Sequence, residues 1–447
     1  MTILSEQTAK TLLTKVLKYS KADSIECNLD GNIGGNIRYA RNTVSTAGEE
    51  SDVVLAVQST FGKRTGTATI NEFDDASLEK VVRRSEELAK LAPENEEFMP
   101  IFGKQEYEKS NTYFESTAKV TPEDRAQAAQ NSIAPSKKDK LVAAGFLEET
   151  TRFSAIMNSA GLFAYNTSTN VDFSVTIRTE DGKGSGWVTR NYSDVKLLDT
   201  AKASNIAIHK AKSSVDVKEM EPGKYTVILE PAASNTLIGN MMRSFAQRSA
   251  DEGRSFLSYK AKEGEDATTA PKNKLGMKMF DERVHIYSDP QHPIAPSAPF
   301  GGDGYPRKRM DWVKDGVIAN MPNTPYWAKK TGMPYIPQNG TFIMAGGNES
   351  LEDMIKNTRR GVLVTRLWYI RALDPQTLLY TGLTRDGTFY IENGKIKYPI
   401  KNFRFNESPI VMLNNIEALG ESVRIEGDMV PPMKIRDFTF SSLSDAV

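Results

Sequence analysis

Three histidines and one cysteine are the scarcest reactive side chains in this chain of 447 residues: His209, His285, His292 and Cys27. Two of the histidines fall in Asp281-Glu-Arg-Val-His-Ile-Tyr-Ser-Asp-Pro-Gln-His-Pro293. With Asp289, His285 and His292 offer two imidazoles and a carboxylate, the donor types that hold zinc. Their spacing matches no established zinc pattern, and His285 alternates with Val284 and Ile286 as a strand residue does, which favours a structural role. Gly301-Gly-Asp-Gly304 has the glycine content of a phosphate loop but lacks Gly-Lys-Ser/Thr and is followed by Pro306, so it reads as a turn. Arg307-Lys-Arg309 beside it reads as a solvated basic face able to dock an acidic partner. Gly184-Ser-Gly186 is not the Gly-x-Ser-x-Gly elbow of a serine hydrolase. Cys27 sits in the alternating run Ser24-Ile-Glu-Cys-Asn-Leu29, where a small buried thiol is expected rather than a nucleophile. A lone cysteine also excludes an internal disulfide and any Cys-x-x-Cys site.

The stretch that identifies the chain runs from Glu221-Pro-Gly-Lys224 through Val227-Ile-Leu-Glu-Pro-Ala-Ala-Ser-Asn-Thr-Leu-Ile-Gly-Asn-Met-Met-Arg-Ser-Phe-Ala-Gln-Arg-Ser249. Further carriers are Arg359-Arg-Gly-Val-Leu-Val-Thr365, Gly387-Thr-Phe-Tyr-Ile-Glu-Asn-Gly-Lys395 and Pro431-Pro-Met-Lys-Ile-Arg-Asp-Phe-Thr439. On these segments the chain resembles the TldD/PmbA family, also called modulator of DNA gyrase proteins, from about Ser24 to the C-terminus. The catalytic TldD branch of that family carries His-Glu-x-x-x-His on the helix that begins here near Pro231. In an ungapped alignment the two histidine positions fall on Gly239 and Ser244, and the glutamate that would polarise the attacking water falls on Asn240. Gly and Ser cannot replace imidazole as zinc ligands, and an amide cannot act as a general base. The family's cysteine ligand near the C-terminus is missing too, since no cysteine occurs in the matching stretch before Pro431. The resemblance therefore implies the PmbA (TldE) branch: no catalytic residues, cofactor or metal site in this chain, and zinc in a TldD-like partner.

Composition agrees with a soluble chain that does not bind DNA directly. The 57 basic residues balance the 57 acidic ones, leaving no electrostatic footprint for a phosphate backbone. No run of about 18 apolar residues and no signal-peptide pattern is visible, so the expectations are a cytoplasmic location and no membrane contact.

The elements that must position these residues follow from periodicity. A first helix is predicted from Thr8 to about Lys18, on the apolar stripe Leu12, Leu13, Val16 and Leu17. Strands are predicted over Ile25 to Leu29, Asn36 to Asn42 and Asp52 to Ser59. A helix from Asp75, as its cap, to Leu91 then stops before Pro93. Glu94 to Gln105 reads as a linker. Thr121-Pro-Glu-Asp124 signals a capped helix start. Leu141 to Glu149, Arg152 to Asn158, Leu162 to Ser168, Val171 to Thr179 and Gly184 to Asn191 read as antiparallel strands, with a hairpin at Asp181-Gly182. A helix over about Asp194 to Lys212 carries His209 in its last turn, the favourable end for a cation. Beyond Lys224, Leu378 to Leu383, Thr388 to Glu392 and Lys395 to Ile400 read as a meander turning at Asp386-Gly387 and Asn393-Gly394. Leu237, Met241, Phe245 and Arg248 recur at helical spacing, and the first three are predicted core residues.

The expected fold class is α+β: an N-terminal α/β portion in two units, 1–105 and 106–220, followed by a large β-rich domain of barrel or sandwich type over 221–447. The resemblance implies a homodimer in isolation and a heterodimer with a TldD-like subunit that together degrade small unfolded peptides. The competing expectations are a metallopeptidase with an atypical site at His285, Asp289 and His292, or a protein-interacting modulator of DNA gyrase.

Overall fold

The structure is a computed structural model that describes residues 3–266, 268–338 and 340–444. Its first half is one antiparallel sheet with helices on one face. The chain enters through α1 (Glu6–Tyr19), capped by the Ser5 hydroxyl, and lays down β1 (Ser24–Ala40), β2 (Thr43–Phe61) and β3 (Arg64–Ile70) before α2 (Asp75–Leu91). A stretch without helix or strand leads to α3 (Glu115–Ala118) and α4 (Pro122–Lys138). Strands β4 (Leu141–Asn158), β5 (Phe163–Thr179) and β6 (Ser185–Tyr192) and helix α5 (Thr200–Ser213) follow. The strand order is β3-β2-β1-β4-β5-β6, so β1 pairs with β4 and the sheet is continuous across residue 105.

Strand β1 shows why one sheet serves both sets of helices. Ile25, Cys27 and Leu29 pack in a core with Leu13, Val16, Leu78 and Val82 from α1 and α2. Ile37 and Tyr39, on the same pleat face further along, pack in a second core with Ala129 and Ile133 of α4 and Ala207 and Ile208 of α5. Between the two cores, the Arg125 guanidinium of α4 lies where a β-carbon on Gly35 would stand. It pairs there with Glu149 of β4 at 2.5 Å.

Several predicted boundaries are corrected. Ile25 to Leu29 and the predicted run from Asn36 are one strand that ends at Ala40, with Arg41 and Asn42 turning into β2, and the paired runs within β4 and within β5 are likewise single strands. Their polar and glycine-rich middles stay in the ladder because both neighbouring strands hydrogen-bond to them. The strand β3 was not predicted, so the α-β-β-β-α order holds with a different third strand. Asp74 rather than Asp75 caps α2, its carboxylate accepting from the Ser77 N–H at 3.1 Å. The Thr121 capping box is present, with the Thr121 hydroxyl and the Asp124 carboxylate each accepting the other's backbone N–H. Asp194 starts only a short 3₁₀ turn, and α5 begins after its own cap, Asp199. Gly182, with φ +74, turns the β5–β6 connection as expected.

The second half begins with β7 (Gly223–Leu229), α6 (Pro231–Arg243) and the short α7 (Gln247–Asp251). Short strands β8 (Ile286–Ser288), β9 (Met310–Lys314), β10 (Val317–Ile318) and β11 (Ile343–Met344) precede β12 (Arg360–Asp374), β13 (Leu379–Glu392), β14 (Lys395–Pro399) and β15 (Phe403–Glu407). The chain closes with β16 (Ile416–Leu419), β17 (Val423–Ile425), β18 (Asp428–Val430) and β19 (Met433–Leu443). The order β12-β7-β19-β15-β13, with β13 also pairing back to β12, closes a barrel. A small sheet in the order β10-β9-β8-β11-β18-β17 lies beside it. The fold is thus α+β with a β-rich C-terminal region. The predicted turn at Asp386-Gly387 is corrected. Both residues lie inside β13 at positive φ and form a bulge opposite Thr365, where the register with β12 shifts. Asn393-Gly394 does turn the chain, from β13 into β14.

The two halves are joined by buried polar contacts. The Arg424 guanidinium of β17 donates to the Asn191 side-chain oxygen at 3.0 Å and the Ser193 hydroxyl at 2.9 Å, both at the end of β6. Ser185 of β6 donates to Asp386 in the barrel bulge at 2.6 Å. Among the described residues no helix is long and apolar enough to cross a membrane.

Candidate functional site on helix α6

Helix α6 is held in place from both ends. Strand β7, which feeds it, is central to the barrel wall, parallel to β12 and antiparallel to β19. The chain leaves the barrel at Glu230, whose backbone N–H bonds to the Val364 carbonyl at 3.0 Å. Pro231 opens the helix, where its fixed φ and missing N–H cost nothing. The Glu230 carboxylate accepts from Lys210 of α5 at 2.6 Å in a largely buried ion pair. Ala233, Leu237, Ile238 and Met241 are fully buried against barrel residues such as Val227, Val362 and Ile435.

The predicted core stripe survives with one correction. Leu237, Met241 and Phe245 are all buried, but α6 ends at Arg243, Phe245 lies in the connection beyond it, and Arg248 belongs to α7. Ser244 is the C-cap of α6 rather than a residue of its body. Phe245 reaches the core through an edge-on contact with Phe256, centroids 5.6 Å apart.

Of the three motif positions one is bare and two are committed to local bonds. Gly239 is buried and presents no side chain. The Asn240 amide donates to the Thr236 carbonyl at 2.7 Å and accepts from Arg243 at 2.9 Å. The Ser244 hydroxyl donates to the Asn240 carbonyl at 3.1 Å. Arg243 Nη1 lies 3.5 Å from where a β-carbon on Gly239 would stand. These residues do not fit zinc. They offer no imidazole, carboxylate or thiolate, and a guanidinium beside the first ligand position repels a divalent cation.

Next to Gly239 a cavity of about 430 Å³ opens between α6, β8, β9 and the loop before β11. Trp312 Nε1 donates to the Ser288 hydroxyl at 2.8 Å, and Ser288 donates to the Thr341 carbonyl at 2.6 Å, which fixes one wall. Asp428 accepts the Phe342 N–H at 3.0 Å. Burial pushes its carboxyl up to about 6, against the opposing pull of that hydrogen bond and of the Arg243 charge. Arg307 also lines the cavity. The expectation of a solvated Arg307-Lys-Arg309 face is corrected for Arg307, whose Nε is fully buried, while Lys308 and Arg309 are exposed. Arg309 instead stacks over the Tyr287 ring at 4.4 Å.

The histidines go elsewhere. His209 is exposed near the end of α5. His285, just before β8, approaches Asp311 with Nε2 3.3 Å from Oδ1 and meets the Tyr287 ring edge-on. His292 Nδ1 accepts from the N–H groups of Ile294 and Ala295 at 3.3 and 3.1 Å, closing a turn. Burial lowers the affinity of this imidazole for a proton, with Asp289 opposing and Arg309 and Arg424 assisting. Asp289 accepts from the Gln291 N–H at 2.9 Å. Among the described residues no three His, Cys, Asp or Glu side chains come together as a metal-holding group. Gly301 to Gly304 forms a turn, the Gly304 N–H bonding to the Gly301 carbonyl at 3.0 Å.

Sequence reasoning missed Arg243 and Asp428, and it read Arg307 as part of a solvated face rather than as a cavity residue. Arg243 had a readable signal, since a residue four positions after a helical glycine covers it. The basic cluster marked Arg307 but not its burial, and Asp428 had no signal, because both reach the cavity from separate strands and loops.

The fold and the helix define a class: a helix-covered antiparallel sheet joined to a β-barrel, whose barrel-fed helix α6 contains no His, Cys, Asp or Glu. Family models described as PmbA/TldA metallopeptidase domain 1, central domain and C-terminal domain match residues 31–89, 115–215 and 222–442. The chain belongs to the PmbA/TldD family. It is similar to the metalloprotease PmbA of Escherichia coli O157:H7, 23% identical over 443 residues, spanning 94% of this chain and 88% of that protein. The solved TldE structure from Thermococcus kodakarensis has the same fold, with a TM-score of 0.85 at 17% identity over 97% of this chain and 99% of that one. So does a Thermotoga maritima protein named as a candidate modulator of DNA gyrase, with a TM-score of 0.84 at 16% identity over 97% and 100%.

Proposed function

We propose that this chain is a PmbA/TldE-like non-catalytic subunit of a TldD/TldE-type zinc metallopeptidase that degrades small unfolded peptides in the cytoplasm. The observation that carries the proposal is the state of α6. The helix is kept, buried and anchored at both ends, while the Asn240 and Ser244 side chains are tied into local bonds and Arg243 lies over Gly239, the first ligand position. A scaffold retained without its ligand set suits a subunit that supplies shape, with zinc held by a TldD-like partner in a heterodimer. Alone, the chain would form a homodimer.

The test is peptide hydrolysis by the purified chain, by a His-Glu-x-x-x-His homologue from the same organism, and by their mixture, with zinc quantified in each. The expected result is a zinc-free, inert chain that raises the activity of the homologue on mixing and co-elutes with it. Stoichiometric zinc and cleavage by the chain alone would overturn the proposal and direct mutagenesis to His285, Asp289 and His292.

A further inference from the structure

We infer that the cavity beside Gly239 is a binding site for a carboxylate attached to an apolar group, of which the C-terminal residue of a short peptide is the fitting class. The inference concerns this chain's own residues and stands whether or not a zinc-bearing partner exists.

Two cations face this space. Arg243 lies at its exposed mouth, over Gly239. Arg307 lies deeper, along the backbone of Gly340, with Nη1 3.7 Å from where a β-carbon there would stand. The Arg307 side chain makes no hydrogen bond or ion pair with any described residue, and its Nε is wholly buried without an acceptor. The carboxylate nearest in charge to it, Asp303, is engaged by the Tyr335 hydroxyl at 2.5 Å and the Tyr305 N–H at 3.0 Å. The Thr341 hydroxyl, on the same wall, is likewise buried and unpartnered.

A buried donor without an acceptor is destabilising, more so when it is charged, and that cost is recovered when an acceptor arrives. A guanidinium fork matches a planar carboxylate, each oxygen taking one N–H. Among the described residues Asp428 is the one carboxylate lining the space. It faces Arg243 and is occupied by the Phe342 N–H, so two guanidiniums outweigh it. Beside the polar Ser288, Gln338 and Thr341, the lining has an apolar part made by Met242, Phe245, Trp312 and Phe342, which suits a side chain next to the carboxylate rather than a bare inorganic anion. At about 430 Å³ the space is that of one or two residues of a peptide, within the usual range for small-molecule sites.

The experiment is calorimetric titration of the full chain with N-acetyl-Ala-Ala-Phe, its C-terminal amide, and sodium phosphate. The acid is expected to bind and the amide to bind at least about tenfold more weakly, the loss of one charge-assisted pair. Arg307→Gln should weaken the acid by about tenfold and leave the weak amide binding where it was. Gly239→Leu retains both cations, fills the space from a helical position where a β-carbon meets only ordinary contacts, and should abolish binding of the acid. It keeps the test decisive if Arg307→Gln fails to fold. Equal binding of acid and amide, no binding of either to the folded wild type, or wild-type affinity in both variants would overturn the inference. Phosphate binding as tightly as the acid would overturn the peptide assignment.

Discussion

Arg243 and Gly239 stand one helical turn apart on α6, and the guanidinium of the first covers the backbone of the second, 3.5 Å from where a side chain would begin. The vacant position in the motif is thus filled by a neighbour's positive charge. Replacing the motif residues does not remove that charge. A Gly239→His/Asn240→Glu/Ser244→His variant is expected to hold substoichiometric zinc by mass spectrometry of the metal, and Arg243→Ala added to it should raise the occupancy. Full occupancy with Arg243 present would show that the charge does not exclude the metal.

Asp428 makes stability depend on pH in an identifiable way. Its carboxyl is raised from 3.8 to about 6 by burial, so the folded state holds a proton the unfolded state has released. The stabilisation is complete below about pH 4 and is lost as pH rises through about 6, amounting to at most about 3 kcal/mol. Urea unfolding at pH 4 and pH 7 should show wild type losing stability relative to Asp428→Asn over that interval. An unchanged difference between the two proteins would mean that the carboxyl titrates normally.

Arg424 is buried and makes three hydrogen bonds, to Asn191, to Ser193 and to the Ile294 carbonyl at 2.7 Å. Arg424→Ala leaves those acceptors without a donor at the junction of sheet and barrel. The expected cost is about 3 kcal/mol or more in unfolding free energy, read from the denaturation midpoint. A loss under about 0.5 kcal/mol, the range of ordinary surface substitutions, would show that the junction does not depend on it.

Cys27 is fully buried between the sheet and α1, and burial pushes its thiol far above the ordinary range. Ellman's reagent should find no reactive thiol in the native chain and one per chain in guanidinium. Rapid labelling of the native protein would contradict this packing.

How much was legible depended on the range over which each signal acts. The Thr121 capping box, the Asn393-Gly394 turn and the Pro231 helix start are settled within a few residues of chain, and each appears where the sequence places it. Strand lengths were misjudged where polar or glycine-rich segments interrupted the alternation. Residues such as Asn32 and Gly34 stay in β1 because β2 and β4 satisfy their backbone groups from both sides. Asp386-Gly387 carries the composition of a turn, yet β12 continues past it and absorbs the pair as a bulge.

The amino-acid sequence by itself determined what cannot happen on α6. Gly239, Asn240 and Ser244 are the wrong residue types for a zinc site, and no histidine lies between His209 and His285. Side-chain chemistry decides that without coordinates. Only the tertiary structure decided that Arg243, Arg307 and Asp428 face one cavity, and that β1 and β4 merge the N-terminal helices onto a single sheet. Those relations join residues far apart in the chain. They are fixed by barrel closure, strand pairing and burial, forces that no local pattern records.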